Sequence, residues 1–78
     1  MQSVELFTGC GGLGLGLARA GFEHQLLVEW NKDAVETVIH NKNRNLEHIR
    51  HWPIVQADVQ SVDWMPYRDV ALVAGGPP

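Results

Sequence analysis

Four groups of residues in this chain have types and spacings suited to chemistry. Thr8-Gly9-Cys10-Gly11-Gly12 is a glycine-dense run carrying the single thiol. Glu29-Trp30 sets a carboxylate beside an indole. Asp58-Val59 sets a second acid beside an aliphatic side chain. Gly75-Gly76-Pro77-Pro78 is a rigid turn sequence with no ionisable side chain. Glycines without a Cβ let a ligand come close to the backbone. A helix opening after them offers unpaired N–H groups and a positive dipole end, which suit a carboxylate or a phosphate. A carboxylate 20 residues past Gly9 is placed to accept from both hydroxyls of a ribose. An indole next to it stacks on a purine. A second acid accepts from an exocyclic amine, and Val59 packs on the opposite ring face. The combined chemistry is that of a pocket for a nucleoside with an anionic tail.

Each feature taken singly has a plainer reading. A glycine cluster also serves to pack a helix tightly on a sheet. Glu29 could be a solvated strand end, Trp30 a core residue, and Asp58 a turn former. Cys10 lies in the glycine run; a helix N-terminus can lower a thiol pKa, but nothing beside it in sequence marks it as a nucleophile. His24, His40, His48 and His51 have no neighbouring cysteine or acidic pair at ligand spacing and read as solvated side chains, so no metal is expected.

The elements that must position these groups follow from periodicity. Val4 to Phe7 reads as a short strand and Thr8 to Gly12 as a turn. A helix is expected from about Leu13 to Ala20, with Leu13, Leu17 and Ala20 as its apolar stripe. Gly14 and Gly16, each costing roughly 1 kcal/mol in a helix interior, make sense where backbones approach closely. Gly21 is a C-terminal stop. Gln25 to Glu29 reads as a second strand with Leu26, Leu27 and Val28 buried. Asn31 is a candidate N-cap for a helix from about Lys32 to Asn41, with Ala34, Val35, Val38 and Ile39 inward. A helical turn is expected over Leu46 to Trp52, ended by Pro53. Ile54 to Gln56 is a third strand. Val59 to Asp69 is a loop with a helical turn around Ser61 to Trp64, and Val70 to Ala74 is a fourth, buried strand. This alternation predicts an α/β fold with a doubly wound parallel sheet. In such sheets ligands sit beyond the carboxyl ends of the strands, at the point where strand order reverses. All four groups stand at strand carboxyl ends.

Length and composition set limits. Seventy-eight residues make at most one small domain, with a limited core. One cysteine excludes an internal disulfide framework and fits a reducing compartment. Six basic against nine acidic residues give a net charge of −3, so these residues carry no basic footprint for nucleic acid. No apolar run approaches membrane-spanning length, and no signal peptide is evident. A strong strand followed at once by Gly-Gly-Pro-Pro at the chain's end reads as a fragment, or as one piece of a larger assembly.

Gly9-x-Gly11-x-x-Gly14 also matches the dinucleotide fingerprint, and Glu29 sits at the matching distance, so a nicotinamide dehydrogenase is a competing reading. A tryptophan directly after the acid, an acid ending the third strand and a double proline ending the fourth point elsewhere. Together Phe7-Thr8-Gly9-Cys10-Gly11-Gly12, Glu29-Trp30, Asp58-Val59 and Gly75-Gly76-Pro77-Pro78 resemble the amino-terminal part of DNA cytosine-5 methyltransferases. The similarity runs from Val4 to Pro78. It implies a Rossmann-like methyltransferase fold, of which residues 1–78 are the first four parallel strands of one catalytic domain without its target-recognition region. It implies S-adenosylmethionine as cofactor. Phe7, Thr8, Gly9, Cys10 and Gly12 would then line the methionine end. Glu29 would hold the ribose, Trp30 and Val59 would sandwich the adenine, and Asp58 would take its amine. Gly76 and Pro78 would flank the sulfonium. Amino-methyltransferases carry an Asp, Asn or Ser before a similar double proline, to accept from the target amine; Gly76 cannot do this, which suits the cytosine-5 family.

The resemblance further implies methyl transfer to cytosine C5 in DNA. In the family a cysteine follows the double proline, adds to cytosine C6 and makes C5 nucleophilic. An acid assists at N3, and the base is flipped out of the duplex. None of these catalytic parts lies within residues 1–78, so this stretch alone is expected to be inactive. DNA would be bound by the remainder of the enzyme, or the cysteine would come from a second chain. A non-catalytic remnant with the same fold is the alternative. The family implies an intracellular protein, cytoplasmic in bacteria and nuclear in eukaryotes.

Overall fold

The computed structural model describes residues 1–76. Four strands, β1 (Gln2–Leu6), β2 (Glu23–Glu29), β3 (Ile54–Gln56) and β4 (Leu72–Gly75), alternate with helices α1 (Gly12–Arg19) and α2 (Lys32–Asn43). Two 3-10 turns, Val59–Ser61 and Met65–Tyr67, lie between β3 and β4. All strand pairs are parallel, in the order β3-β2-β1-β4. The chain therefore builds outward from β1 to β3, then crosses back to set β4 on the other side of β1. This is the expected doubly wound α/β sheet, and the reversal lies at β1.

Side-chain alternation on the strands feeds two cores. Leu27 packs with Val38, Ile49 and Trp52 on the face that carries α1, α2 and the segment 46–52. Val4, Leu26 and Val28 pack on the other face, under residues 57–70. α2 begins at Asn31, whose side chain accepts the Ala34 N–H at 2.9 Å, the N-cap bond expected of that residue. α1 ends in a Schellman turn. Phe22 N–H donates to the Leu17 carbonyl and Gly21 N–H to that of Ala18, with Gly21 at φ +98°.

Several sequence expectations shift. β1 begins two residues earlier than predicted, at Gln2, because Gln2 and Ser3 pair with Glu23 and His24. It also ends at Leu6, since Phe7 turns into the left-handed region at φ +54°. Pairing with Gln2 and Ser3 likewise starts β2 at Glu23. α2 continues to Asn43 rather than Asn41. Segment 46–52 forms turns without a regular helix. The single helical turn expected at Ser61 to Trp64 is replaced by the two 3-10 turns on either side of it. The α1 stripe is also rotated. Leu13 is 50% exposed, while Gly14 is buried and Leu15 and Ala18 meet the core. Gly14 occupies the tightest point, which sets which side of the helix faces the sheet. Gly16 faces open space, so only one of the two helix glycines is needed for close approach. Within the described residues β4 pairs with β1 alone, and Val73, expected to be buried, is exposed there.

Candidate functional site

The carboxyl ends of the four strands surround a cleft of about 570 Å³, and every strand contributes. Phe7 and Gly9 come from the turn after β1. Val28, Glu29, Trp30 and Asn31 come from the end of β2. Ala57, Asp58 and Val59 follow β3, and Gly76 follows β4.

The floor is held by backbone bonds between loops. Thr8 N–H donates to the Val28 carbonyl at 3.1 Å, and Ala57 N–H to the Glu29 carbonyl at 3.0 Å. The glycine turn curls over this floor. Gly9 stands at φ +59° and Gly11 at φ +96°; Gly11 is the N-cap of α1. A Cβ at Gly11 would also press on the Trp52 ring at 3.0 Å, so both conformation and space call for glycine there. Phe7 adopts the left-handed region without that freedom, at a cost of about 1–2 kcal/mol. Strain of this kind collects at sites whose geometry is over-determined by their surroundings.

Glu29 links two of the loops. Oε1 accepts the Gly9 N–H and Oε2 accepts the Asn31 N–H, each at 2.7 Å. These are the short distances of charge-assisted bonds. Each carboxylate oxygen keeps a second lone pair for a ligand. Trp30, next to it, is 69% exposed, so the core reading does not hold for this residue. Across the cleft, Asp58 caps the first 3-10 turn through Oδ1, which accepts the Gln60 N–H at 2.9 Å. Oδ2 has no protein donor among the described residues. Val59 is steadied through its carbonyl, which accepts the Trp64 indole N–H at 3.1 Å.

Of the residues expected at the site, Phe7, Gly9, Glu29, Trp30, Asp58, Val59 and Gly76 line this one cleft. Thr8, Cys10 and Gly12 are not on its wall. Thr8 is 5% exposed, and its Oγ1 finds no partner among the described residues. Cys10 is exposed on the turn. Gly12 is the first residue of α1. Pro78 lies outside the described residues. Val28, Asn31 and Ala57 join the lining without having been expected at the site; each stands next to a residue that was. Among the described residues no three His, Cys, Asp or Glu side chains group as metal ligands, and no helix is long and apolar enough to cross a membrane.

A second polar group lies just beneath the turn and was not foreseen. Glu5 on β1 is 1% exposed, and its Oε2 has no hydrogen-bond partner among the described residues. Burial pushes its pKa up to about 7, against a smaller opposing pull from the backbone N–H of Gly14. His24 on β2 reaches the same glycine. Its Nε2 lies 3.0 Å from the Gly14 carbonyl and its Nδ1 3.1 Å from the Ser3 hydroxyl. A carbonyl only accepts, so Nε2 carries the proton that it donates. The imidazole meets the Trp52 ring edge-on, with centroids 5.2 Å apart.

Comparison with known proteins decides the family. The sequence model of the C-5 cytosine-specific DNA methylases matches residues 1–78. The chain belongs to that family. It is 43% identical over 76 residues to the type II methyltransferase M.Eco47II of Escherichia coli, covering 96% of this chain and 16% of that protein. It is 36% identical over 76 residues to M.NgoMIV of Neisseria gonorrhoeae, covering 97% of this chain and 22% of the relative. M.HgiGI of Herpetosiphon aurantiacus is 34% identical over 82 residues, with all of this chain and 59% of the relative aligned. A crystal structure of a prophage-encoded Escherichia coli protein, named as a DNA modification methyltransferase, superposes with a TM-score of 0.69 at 30% identity. It covers all of this chain and 22% of its own. The chain thus spans about a sixth to a fifth of the length of the first two relatives. The methylase fold agrees with the sheet order, and the cleft occupies its strand-order reversal.

Proposed function

We propose that this chain forms the S-adenosylmethionine site of a DNA cytosine-5 methyltransferase. The observation that carries the reading is the pairing of Glu29 and Trp30 at the end of β2. A carboxylate fixed by two backbone N–H groups, with lone pairs to spare, stands beside an exposed indole. The glycine turn, with Gly9 and Gly11 at positive φ and the start of α1 behind it, adds room and backbone donors suited to an anionic ligand group. The residues present therefore fit the cofactor. Family membership and the type II methyltransferase relatives support the same reading.

When bound, the cofactor supplies an electrophilic methyl group on its sulfonium. The chain's residues bind and orient it. Glu29 accepts from the ribose hydroxyls, Trp30 and Val59 hold the adenine between them, and Asp58 accepts from its amine. The turn of Phe7 to Gly12 receives the methionine end, with Cys10 and Gly12 contributing backbone N–H groups near the start of α1. Gly76 stands toward the sulfonium, the role that the family resemblance also implies for Pro78. Methyl transfer to cytosine C5 in DNA is the activity of the whole protein. The nucleophile and the DNA-binding surface come from sequence outside these 78 residues, in keeping with their net negative charge.

Titration with S-adenosylhomocysteine and with NADH, read by tryptophan fluorescence, tests the cofactor. Saturable quenching by the first and none by the second is expected. Tighter binding of NADH would replace this reading with the dehydrogenase one. Residues 1–78 alone are expected to leave DNA unmethylated, and methyl incorporation by this polypeptide would overturn the assignment of the nucleophile elsewhere.

A further inference from the structure

The cofactor reading above gives the buried acid Glu5 no role, yet Glu5 lies directly under the turn that the reading depends on. α1 begins at Gly12, so the N–H of Gly14 is one of the helix's unpaired first donors. The Glu5 carboxyl is packed against Gly14 from the sheet, where that N–H favours its charged form. A side chain at Gly14 would collide with Glu5 Oε2 and would stand 3.2 Å from the Trp52 ring. His24 takes the carbonyl of the same residue. Gly14 thus has the Glu5 carboxyl packed on one side and a hydrogen bond with His24 on the other, and it lies three residues after the N-cap Gly11. Oε2 itself has no hydrogen-bond partner among the described residues, and Glu5 is 1% exposed. A fully buried acid with an unused oxygen is unfavourable unless its charge is balanced. The balancing charge at hand is the positive end of α1.

We propose that Glu5 is a positioning residue for the cofactor turn: its carboxylate draws the first turn of α1 onto the sheet through Gly14 and so fixes the run Gly9 to Gly12 above the cleft. Protonation of Glu5 loosens this hold. The groups facing it are few. His24 of β2 lies across Gly14 and Trp52. The α1 and β4 segments packed on β1 bring no titratable side chain to this point. Glu47, His48, Arg50 and His51 of the segment that carries Trp52 are exposed, and the inward residues of α2, Val35 and Val38, are apolar. S-adenosylmethionine is then held more tightly when Glu5 is ionised.

Two measurements on the protein and on Glu5→Gln test this. The first is amide NMR of the ligand-free protein from pH 5.5 to 8.5, values spanning the ionisation of Glu5 at about 7. The amides of Gly9, Gly11 and Gly14 are expected to shift with the Glu5 side-chain carboxyl carbon, and to stop doing so in Glu5→Gln. Glycine shifts that persist in the variant would not arise from Glu5 and would overturn the proposal. If the variant does not fold, the wild-type data still decide: a Glu5 carboxyl titration not shared by Gly14 refutes it. The second is S-adenosylhomocysteine affinity at both ends of that range. Wild-type affinity should rise about two- to fivefold toward high pH, the scale of one charge at a helix terminus, and stay flat in Glu5→Gln. Equal pH dependence in both proteins, or none in the wild type, would remove the positioning role. Absence of binding at every pH would instead refute the cofactor reading, and the NMR result would stand on its own for Glu5.

Discussion

Glu29 and Gly9 are joined across the mouth of the cleft by a 2.7 Å hydrogen bond in which the glycine N–H donates to Oε1. The other oxygen takes the N–H of Asn31, the N-cap of α2. One carboxylate therefore ties the loop before α1 to the loop before α2. Glu29→Ala should leave both N–H groups without a protein acceptor, lowering stability by about 1–3 kcal/mol. It should also weaken S-adenosylhomocysteine binding well beyond what that loss explains. Chemical denaturation and calorimetric titration of the same preparation separate the two effects.

Two tryptophans should behave oppositely. Trp30 is mostly exposed, so Trp30→Ala should leave the denaturation midpoint nearly unchanged, while removing a stacking contact of about 1–3 kcal/mol and most of the ligand-induced quenching. Trp52 is 4% exposed and packs against Gly11, Gly14 and His24. Trp52→Ala should cost about 3–5 kcal/mol in stability. Quenching that survives in Trp30→Ala would move the adenine away from that indole.

The glycines of α1 provide a second contrast. Gly16 faces open space, and Gly16→Ala should stabilise the protein by about 0.5–1 kcal/mol through better helix propensity. Gly14→Ala should destabilise it, because the new methyl meets Glu5 and the Trp52 ring. Thermal melts of the two variants check the opposite signs.

Glu5 imposes a pH dependence on stability. Its pKa in the folded state is about 7, above the usual 4.5, so the unfolded chain releases this proton first. The stability associated with the neutral acid is full below about pH 4.5, declines through the range between the two values, and is lost once pH exceeds about 7. A shift of this size corresponds to at most about 3 kcal/mol. Glu5→Gln, neutral throughout, should flatten that segment of the curve and be the more stable protein at pH 8. Urea denaturation at a series of pH values measures it.

The strand ends were legible from sequence because glycine runs, strand-ending acids and a double proline punctuate apolar segments, and the parallel topology then brings those ends together. Glu5 was not. Within Val4-Glu5-Leu6, alternation assigns an acid to solvent, as on a sheet with one wet face. β1 lies between β2 and β4 with residues packed on both faces, so Ser3 and Glu5 are buried as fully as Val4. The signal lay in the strand order that the glycine turn implies, since a strand at the reversal has no free face. Phe7 was expected at the site, but its backbone conformation was missed for a different reason. A residue with strong strand preference gives no warning of a left-handed conformation. The α1 stripe was misjudged because leucine count outweighed Gly14, whose missing side chain decides which face approaches the sheet.

The central place of β1 has a consequence for how the protein is made. Val4 pairs on one side with Leu26 and on the other with Val73. During synthesis the first strand to leave the ribosome can acquire one neighbour early, but its second only after nearly all of this sequence has emerged. Closing so long a loop is slow relative to local pairing. Until then the apolar side of β1 lacks half its cover, and the cleft has no fourth wall. The cleft is consequently open on one side until β4 has emerged and paired with β1, and only then can all four strand ends meet a ligand.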